Sequence, residues 1–152
     1  MAPGSLKRCY VASPCGFAPS TKSWYAALLE ELGHLVDVVD PWVEDVEPIL
    51  RAPIEQRRER WIDLGVRHYG TIDECSLLVA ILDQEPPDNG TVCEVAHAAA
   101  RLIPVIGYRE DSRTSGEDGV PVNLMILAAI RRSGGQYTTS VPDLLAAVEA
   151  RL

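Results

Sequence analysis

Two carboxylates, Asp88 and Glu94, stand in the stretch Asp83-Gln84-Glu85-Pro86-Pro87-Asp88-Asn89-Gly90-Thr91-Val92-Cys93-Glu94. Side chains of this type can share a group-transfer reaction, one attacking as a nucleophile and the other managing the proton of a leaving group. On that reading Glu94 is the nucleophile and Asp88 works on the leaving group. The same letters also have a purely structural reading. Thr91 and Glu94 have the Thr-x-x-Glu spacing of a capping box, in which each side chain satisfies a free backbone N–H. Asp88-Asn89-Gly90 is ordinary turn chemistry.

The elements around this stretch decide whether such groups can meet. The apolar run Leu77-Leu78-Val79-Ala80-Ile81-Leu82 precedes the acidic turn, and a helix-forming segment rich in small residues follows it. Strand, turn and helix line the crevice at the carboxyl ends of parallel strands in α/β proteins. Upstream, Cys9-Tyr10-Val11-Ala12-Ser13 reads as a strand stopped by Pro14 and Gly16. Ser20 to Ser23 can cap a helix running through Trp24, Leu28, Leu29 and Leu32, with Gly33 as its C-cap at positive φ. Leu35 to Val39 is a second strand, ended by Asp40-Pro41. Residues 41–53 hold three prolines and no period, so they read as a loop able to cover a site.

Trp61, Gly65, His68, Ile72 and Cys75 share one face of a helix expected from about Ile54 to Cys75, which Gly65 and Gly70 weaken or bend. The third strand is expected at 77–82, a third helix at 91–102 and a fourth strand at 102–106. A polar loop at 107–120, a helix at 122–131, a short strand at 136–138 and a final helix at 141–152, opened by Pro142, complete the chain. This alternation predicts an α/β protein, a flavodoxin-like three-layer sandwich with a five-stranded parallel sheet, as a single domain over residues 1–152.

Composition removes several classes of function. Hydrophobic residues make up 47% and charged residues 24%, which is ordinary for a globular chain. A formal net charge of −8 argues against nucleic-acid and anionic-membrane partners, which call for basic surfaces. The basic cluster Arg57-Arg58-Glu59-Arg60 is interrupted by acid and reads as a solvated helix face. No apolar segment approaches the ~20 residues of a membrane span, and Met1 to Arg8 lacks the apolar core of a leader. Four cysteines without a Cys-x-x-Cys pair read as reduced, and three histidines without ligand spacing lead us to expect no metal site. The expected compartment is the cytoplasm.

Several familiar motifs are missing. No Gly-x-Gly-x-x-Gly follows the first strand, and neither a P-loop nor a Gly-x-Ser-x-Gly elbow occurs. A phospho-receiver would need an acidic cluster where Ser13-Pro14 stands. Carboxylate chemistry at the end of the third strand remains.

Taken together, Tyr10-Val11-Ala12-Ser13-Pro14 with Gly16-Phe17, Asp40-Pro41-Trp42, Ser76 to Asp83, Asp88-Asn89-Gly90-Thr91-Val92-Cys93-Glu94-Val95, Gly107-Tyr108-Arg109 and Val122-Asn123-Leu124-Met125 resemble the nucleoside 2-deoxyribosyltransferase family. The most specific pieces are Asp-x-Gly-Thr-x-x-Glu and the later Asn-Leu-Met. The resemblance implies transfer of a 2-deoxyribosyl group between nucleobases through a glycosyl ester on Glu94. Asp88 would bind the base and manage its proton, and Tyr10 would orient the nucleophile. Asn123, Met125, Gly90, Ser13, Phe17 and His68 would bind substrate, Asn123 reaching the sugar in a neighbouring subunit's site. The resemblance further implies a homo-oligomer with shared sites, such as a dimer-based hexamer, small-molecule nucleosides and nucleobases as partners, and no cofactor or metal. A glycosidic bond breaks with oxocarbenium character, which a carboxylate on the opposite face can capture. The helix dipole would favour the charged form of a Glu94 placed in the first helical turn, and crowding by Asp83 and Glu85 would favour a protonated Asp88.

The chain departs from the family pattern at His68 and Ser76, where acidic or amide residues are usual. His68 is either a base contact or a core histidine on the Trp61–Ile72 face. Asn123 also reads as a helix N-cap, and Trp42 and Trp61 read as packing residues. Two other functions stay open: an N-glycoside hydrolase acting on nucleosides or nucleoside 5′-monophosphates, and a non-catalytic nucleotide-binding module. Ser13, Gly16 and Ser20 could bind a phosphate in the hydrolase case.

Overall fold

All five residues of the strand Leu77–Ile81 are buried, which requires cover on both faces of the sheet. In the computed structural model, which describes residues 6–152, that strand is the centre of a five-stranded parallel sheet. Met1 to Ser5, part of the stretch read above for a leader, lie outside the described residues. The strands are β1 (Arg8–Ala12), β2 (Asp37–Val39), β3 (Leu77–Ile81), β4 (Val105–Tyr108) and β5 (Gln136–Thr138). Their spatial order is β2-β1-β3-β4-β5. The helices are α1 (Pro19–Gly33), α2 (Glu47–Leu50), α3 (Ile54–Asp73), α4 (Asn89–Ala100), α5 (Leu124–Arg132) and α6 (Val141–Glu149). This is the flavodoxin-like α/β sandwich expected from the alternation of elements.

Strand side chains alternate between two cores. Cys9, Val11, Leu77, Val79 and Ile106 pack with Leu28 and Leu32 of α1 and Leu144 and Val148 of α6. Tyr10, Ala12, Leu78, Ala80 and Val105 pack with Ile72 of α3, Val95 of α4 and Ile126 of α5. The second face holds the candidate site. Register places Tyr10 between Val39 and Leu78. No described helix is long and apolar enough to cross a membrane.

Several local expectations need correction. Helix α1 begins without a side-chain cap. Thr21, expected among the capping residues, instead donates its hydroxyl to the carbonyls of Cys15 and Ala18. Gly33 is the last helical residue and His34, at φ −74°, closes the helix, so no positive φ is needed there. The proline-punctuated loop contains a 3₁₀ turn over Pro41–Val43 and the short α2. Cys75 lies past the end of α3, and Gly65 and Gly70 sit inside that continuous helix.

Helix α4 starts at Asn89 rather than Thr91, capped by Asp88, whose carboxylate accepts from the Thr91 N–H at 2.8 Å. The Thr91–Glu94 capping box is therefore not formed. At the other end of α4 the N–H groups of Leu102 and Ile103 bond back to Ala99 and Ala98, the Schellman arrangement, with Leu102 at φ 58°. That turn consumes residues assigned to the fourth strand, which begins only at Val105. Because a leucine is strained there, Leu102→Gly should gain roughly 0.5–1 kcal/mol in urea unfolding. A loss of stability would contradict this account of the turn. Asn123 caps α5 as expected, accepting from the Met125 N–H, and the fifth strand occupies the residues assigned to it.

Candidate active site

The chain leaves β1 toward β2 on one side and β3 toward β4 on the other, so a crevice opens beyond the carboxyl ends of these two adjacent strands. Tyr10 is the third residue of β1 and is fully buried, facing α3, α4 and α5. Its hydroxyl donates to Glu94 Oε1 at 2.7 Å. Glu94 lies in the second turn of α4, clear of the helix's free N–H groups, so it caps nothing. One carboxylate oxygen is held by the tyrosine, which leaves Oε2 for a ligand.

Glu94 lines a cavity of about 400 Å³, a volume in the range of a small-molecule site. Ser13, Phe17, His68, Asp88 and Gly90 line the same cavity. Six of the residues singled out from the sequence thus meet around one space, with Tyr10 directly behind it. Gly90 allows the close approach of Asp88: a Cβ there would lie 3.1 Å from Asp88 Oδ2. Aromatic walls complete the pocket, and they are the residues that the sequence reading placed in packing roles. Trp42 and Trp61 line it, and Phe17, 73% exposed, meets Trp42 edge to face at 4.6 Å. Trp42 Nε1 donates to the Ser13 carbonyl at 2.8 Å. Its indole lies so close to Gly16 that a Cβ there would meet the ring at 2.1 Å. Asp40 fixes the turn below by accepting from the Tyr25 hydroxyl and the Trp42 N–H.

Burial pushes the Glu94 carboxyl up to about 7, helped by the charge of Asp88 and opposed by the Tyr10 hydrogen bond. The expected bias of Glu94 toward its charged form is therefore reversed in the free protein. The dipole acts mainly within the first turn of a helix, and Glu94 lies beyond it. Desolvation and the neighbouring Glu94 also raise the Tyr10 phenol, so it remains a donor.

Asp83 and Glu85 do not crowd Asp88. Asp83 accepts from the N–H groups of Glu110 and Asp111, and Glu85 pairs with Arg109 at 3.1 Å. Arg109, only 1% exposed, binds the acidic turn from below. Nη1 donates to the carbonyls of Leu82 and Gln84, and Nη2 donates to Glu85 and the Arg113 carbonyl. Its place at the end of an apolar strand is the signal in the sequence that points to it.

Asn123 and Met125 do not reach this cavity. They border a separate groove between α4 and α5 with Val92, Ala96 and Ala129. Met125 is 67% exposed there.

The model of the nucleoside 2-deoxyribosyltransferase family matches residues 9–125. That span runs from β1 into α5 and contains Tyr10, Asp88, Glu94 and Asn123. The chain belongs to the nucleoside 2-deoxyribosyltransferase family. No curated protein sequence matches it. Among solved structures it is similar to a conserved protein of Enterococcus faecalis V583, at 24% identity and TM-score 0.74, over 97% of this chain and 100% of that chain. It is also similar to a 2-deoxyribosyltransferase of Bacillus psychrosaccharolyticus, at 20% identity and TM-score 0.64, over 91% of this chain and 90% of that chain. A CMP N-glycosidase of Clostridium botulinum shares 19% identity and a TM-score of 0.53, over 96% of this chain and 100% of that chain. At these identities the likeness speaks to the fold.

Proposed function

We propose that this protein exchanges nucleobases on 2′-deoxyribonucleosides by double displacement through a covalent deoxyribosyl ester on Glu94. The Tyr10–Glu94 hydrogen bond in a pocket shared with Asp88 carries this reading. Glu94 Oε2 attacks the anomeric carbon as the bond to the base breaks, and the departing base takes a proton from Asp88. A second base, deprotonated by Asp88, then attacks the same carbon and releases Glu94, so two inversions give net retention. Neither step calls on a cofactor or metal. The aromatic walls suit a flat base.

The pocket supports a nucleoside rather than a nucleotide. Glu44, Asp88 and Glu94 line it, and no lysine or arginine does among the described residues. Of the groups considered for phosphate, Gly16 is covered by the Trp42 ring, while Ser13 Oγ accepts from the Cys15 N–H and keeps its own proton to donate. Asn123 and Met125, exposed and away from their own chain's Glu94, suit the expected role in a neighbouring subunit's site. Mixed oligomers of Glu94→Ala and Asn123→Ala should then recover part of the activity that each variant lacks.

The assay that tests the proposal supplies 2′-deoxyinosine alone and then with adenine or cytosine, and follows the products by chromatography. A new deoxynucleoside formed only with the added base supports transfer. Free hypoxanthine released at one rate with or without acceptor would make the protein a hydrolase. No reaction with any nucleoside or monophosphate would favour the binding-module alternative.

The titration of Glu94 gives a pH prediction with a definite sign. Attack requires the ionised form, so the ionisation of Glu94 should contribute a rise in kcat/KM of about tenfold per pH unit below its pKa of about 7. Tyr10→Phe removes a bond that favours ionisation, and should move this limb to higher pH. Stability runs the other way. The folded pKa lies above the ordinary 4.5, so stability is fully present below that value and falls as pH rises toward about 7. Glu94→Gln should therefore match the wild type in acid and exceed it by roughly 2–3 kcal/mol in mild alkali. Equal stability at both ends would contradict the burial of a charged Glu94.

A further inference from the structure

Two polar side chains of the pocket have no part in the displacement just described. Glu44 enters from the turn after Pro41–Val43, and His68 enters from α3. His68 Nε2 lies 3.1 Å from Glu44 Oε2, and Arg67 Nη2 donates to the other oxygen of Glu44 at 3.0 Å. The His68 ring meets the Tyr10 ring edge-on, with centroids 6.5 Å apart, so the pair stands beside the nucleophile's own support.

A carboxylate offers acceptors only, so the nitrogen facing Glu44 is the one that carries the proton. The other nitrogen of a neutral imidazole, Nδ1, is then an acceptor. It makes no hydrogen bond among the described residues. Because His68 lines the pocket, its ring brings to the wall an acceptor that no described residue occupies.

We propose that His68, held in this tautomer by Glu44, selects the base through a hydrogen bond from an exocyclic amino group to Nδ1. Adenine and cytosine satisfy this acceptor. Hypoxanthine and uracil, with a carbonyl at the same position, oppose it lone pair to lone pair. His68 is the specificity-determining residue, and Glu44 is a positioning residue that acts through it. The proposal rests on reading the pocket as a site of deoxyribosyl transfer. Its rival is a clasp, in which the pair merely ties the turn at Glu44 to α3.

The test compares kcat/KM for 2′-deoxyadenosine and 2′-deoxyinosine in the wild type, His68→Phe and Glu44→Gln. The wild type should favour deoxyadenosine by about tenfold or more. His68→Phe should bring the ratio near one while turnover of deoxyinosine persists. Glu44→Gln is a surface change that remains informative if the histidine variant folds poorly. Its amide can donate to Nε2, which places the proton on Nδ1 and shifts the ratio toward deoxyinosine. A clasp would lower both substrates together and leave the ratio unchanged, which would overturn the proposal. A wild type indifferent to the two bases, or one favouring deoxyinosine, would also overturn it while leaving the transfer reading intact. Absence of turnover with every nucleoside would remove both.

Discussion

Glu94→Ala is expected to fold normally and to lose turnover by a factor on the order of 10⁴ to 10⁶, the loss typical of a removed nucleophile. The two readings of Glu94 separate most clearly in this variant. As half of a capping box, the side chain would contribute about 1 kcal/mol to stability, and its removal would leave activity untouched. In the structure Asp88 caps α4, and among the described residues the Glu94 carboxylate hydrogen-bonds only to the Tyr10 hydroxyl. Loss of the side chain also relieves the burial of a charge. The melting curve should thus be unchanged or shifted upward in neutral buffer while base exchange disappears. A folded variant that still exchanges bases would remove Glu94 from the mechanism.

The second large effect concerns stability. Arg109 is buried beneath the acidic turn with one guanidinium bonding three carbonyls and the Glu85 carboxylate. Arg109→Leu leaves the carbonyls of Leu82, Gln84 and Arg113 without that donor and Glu85 without a counter-charge. Breaking a buried pair in this way costs about 3–5 kcal/mol. Arg109→Lys should recover only part, because a single ammonium cannot reproduce the fork. The turn also leads into Asp88, so the fraction that folds should show impaired turnover. Urea unfolding measures the first effect, and a change below about 1 kcal/mol would mean that the turn does not depend on Arg109.

The parts of this molecule that were legible in the sequence are those governed by local patterns. The unbroken apolar run at 77–82 announced a strand covered on both faces, and Asn123 before Leu124 announced a cap. Failures came where tertiary contacts override a local signal. Thr91 and Glu94 have capping-box spacing, but Asp88 takes the cap because Gly90 lets it fold over the helix start. Leu102 adopts positive φ without a glycine to mark it, so the apolar pattern starts the fourth strand earlier than the structure does.

The site shows the same division. Tyr10 and Glu94 are 84 residues apart, and only the pairing of β1 with β3 together with the packing of α4 brings them into contact. Resemblance to a family could name them, while spacing alone could not. The aromatic walls stayed hidden because a tryptophan in a proline-rich loop has the same sequence appearance whether it fills a core or lines a cavity. Arg109 and Glu44 were missed because their roles depend on partners distant in the chain.

The central claim is a covalent deoxyribosyl ester on Glu94, and intact-mass spectrometry tests it most directly. The protein would be mixed with a 2′-deoxyribonucleoside whose sugar carries a 2′-fluorine, which slows breakdown of the ester, then quenched in acid and digested. The account predicts a mass increase of one fluorinated deoxyribosyl group, located on the peptide containing Glu94 and absent from Glu94→Ala. Base exchange proceeding with unmodified substrates while no adduct forms on Glu94, or an adduct carried by another residue, would contradict it.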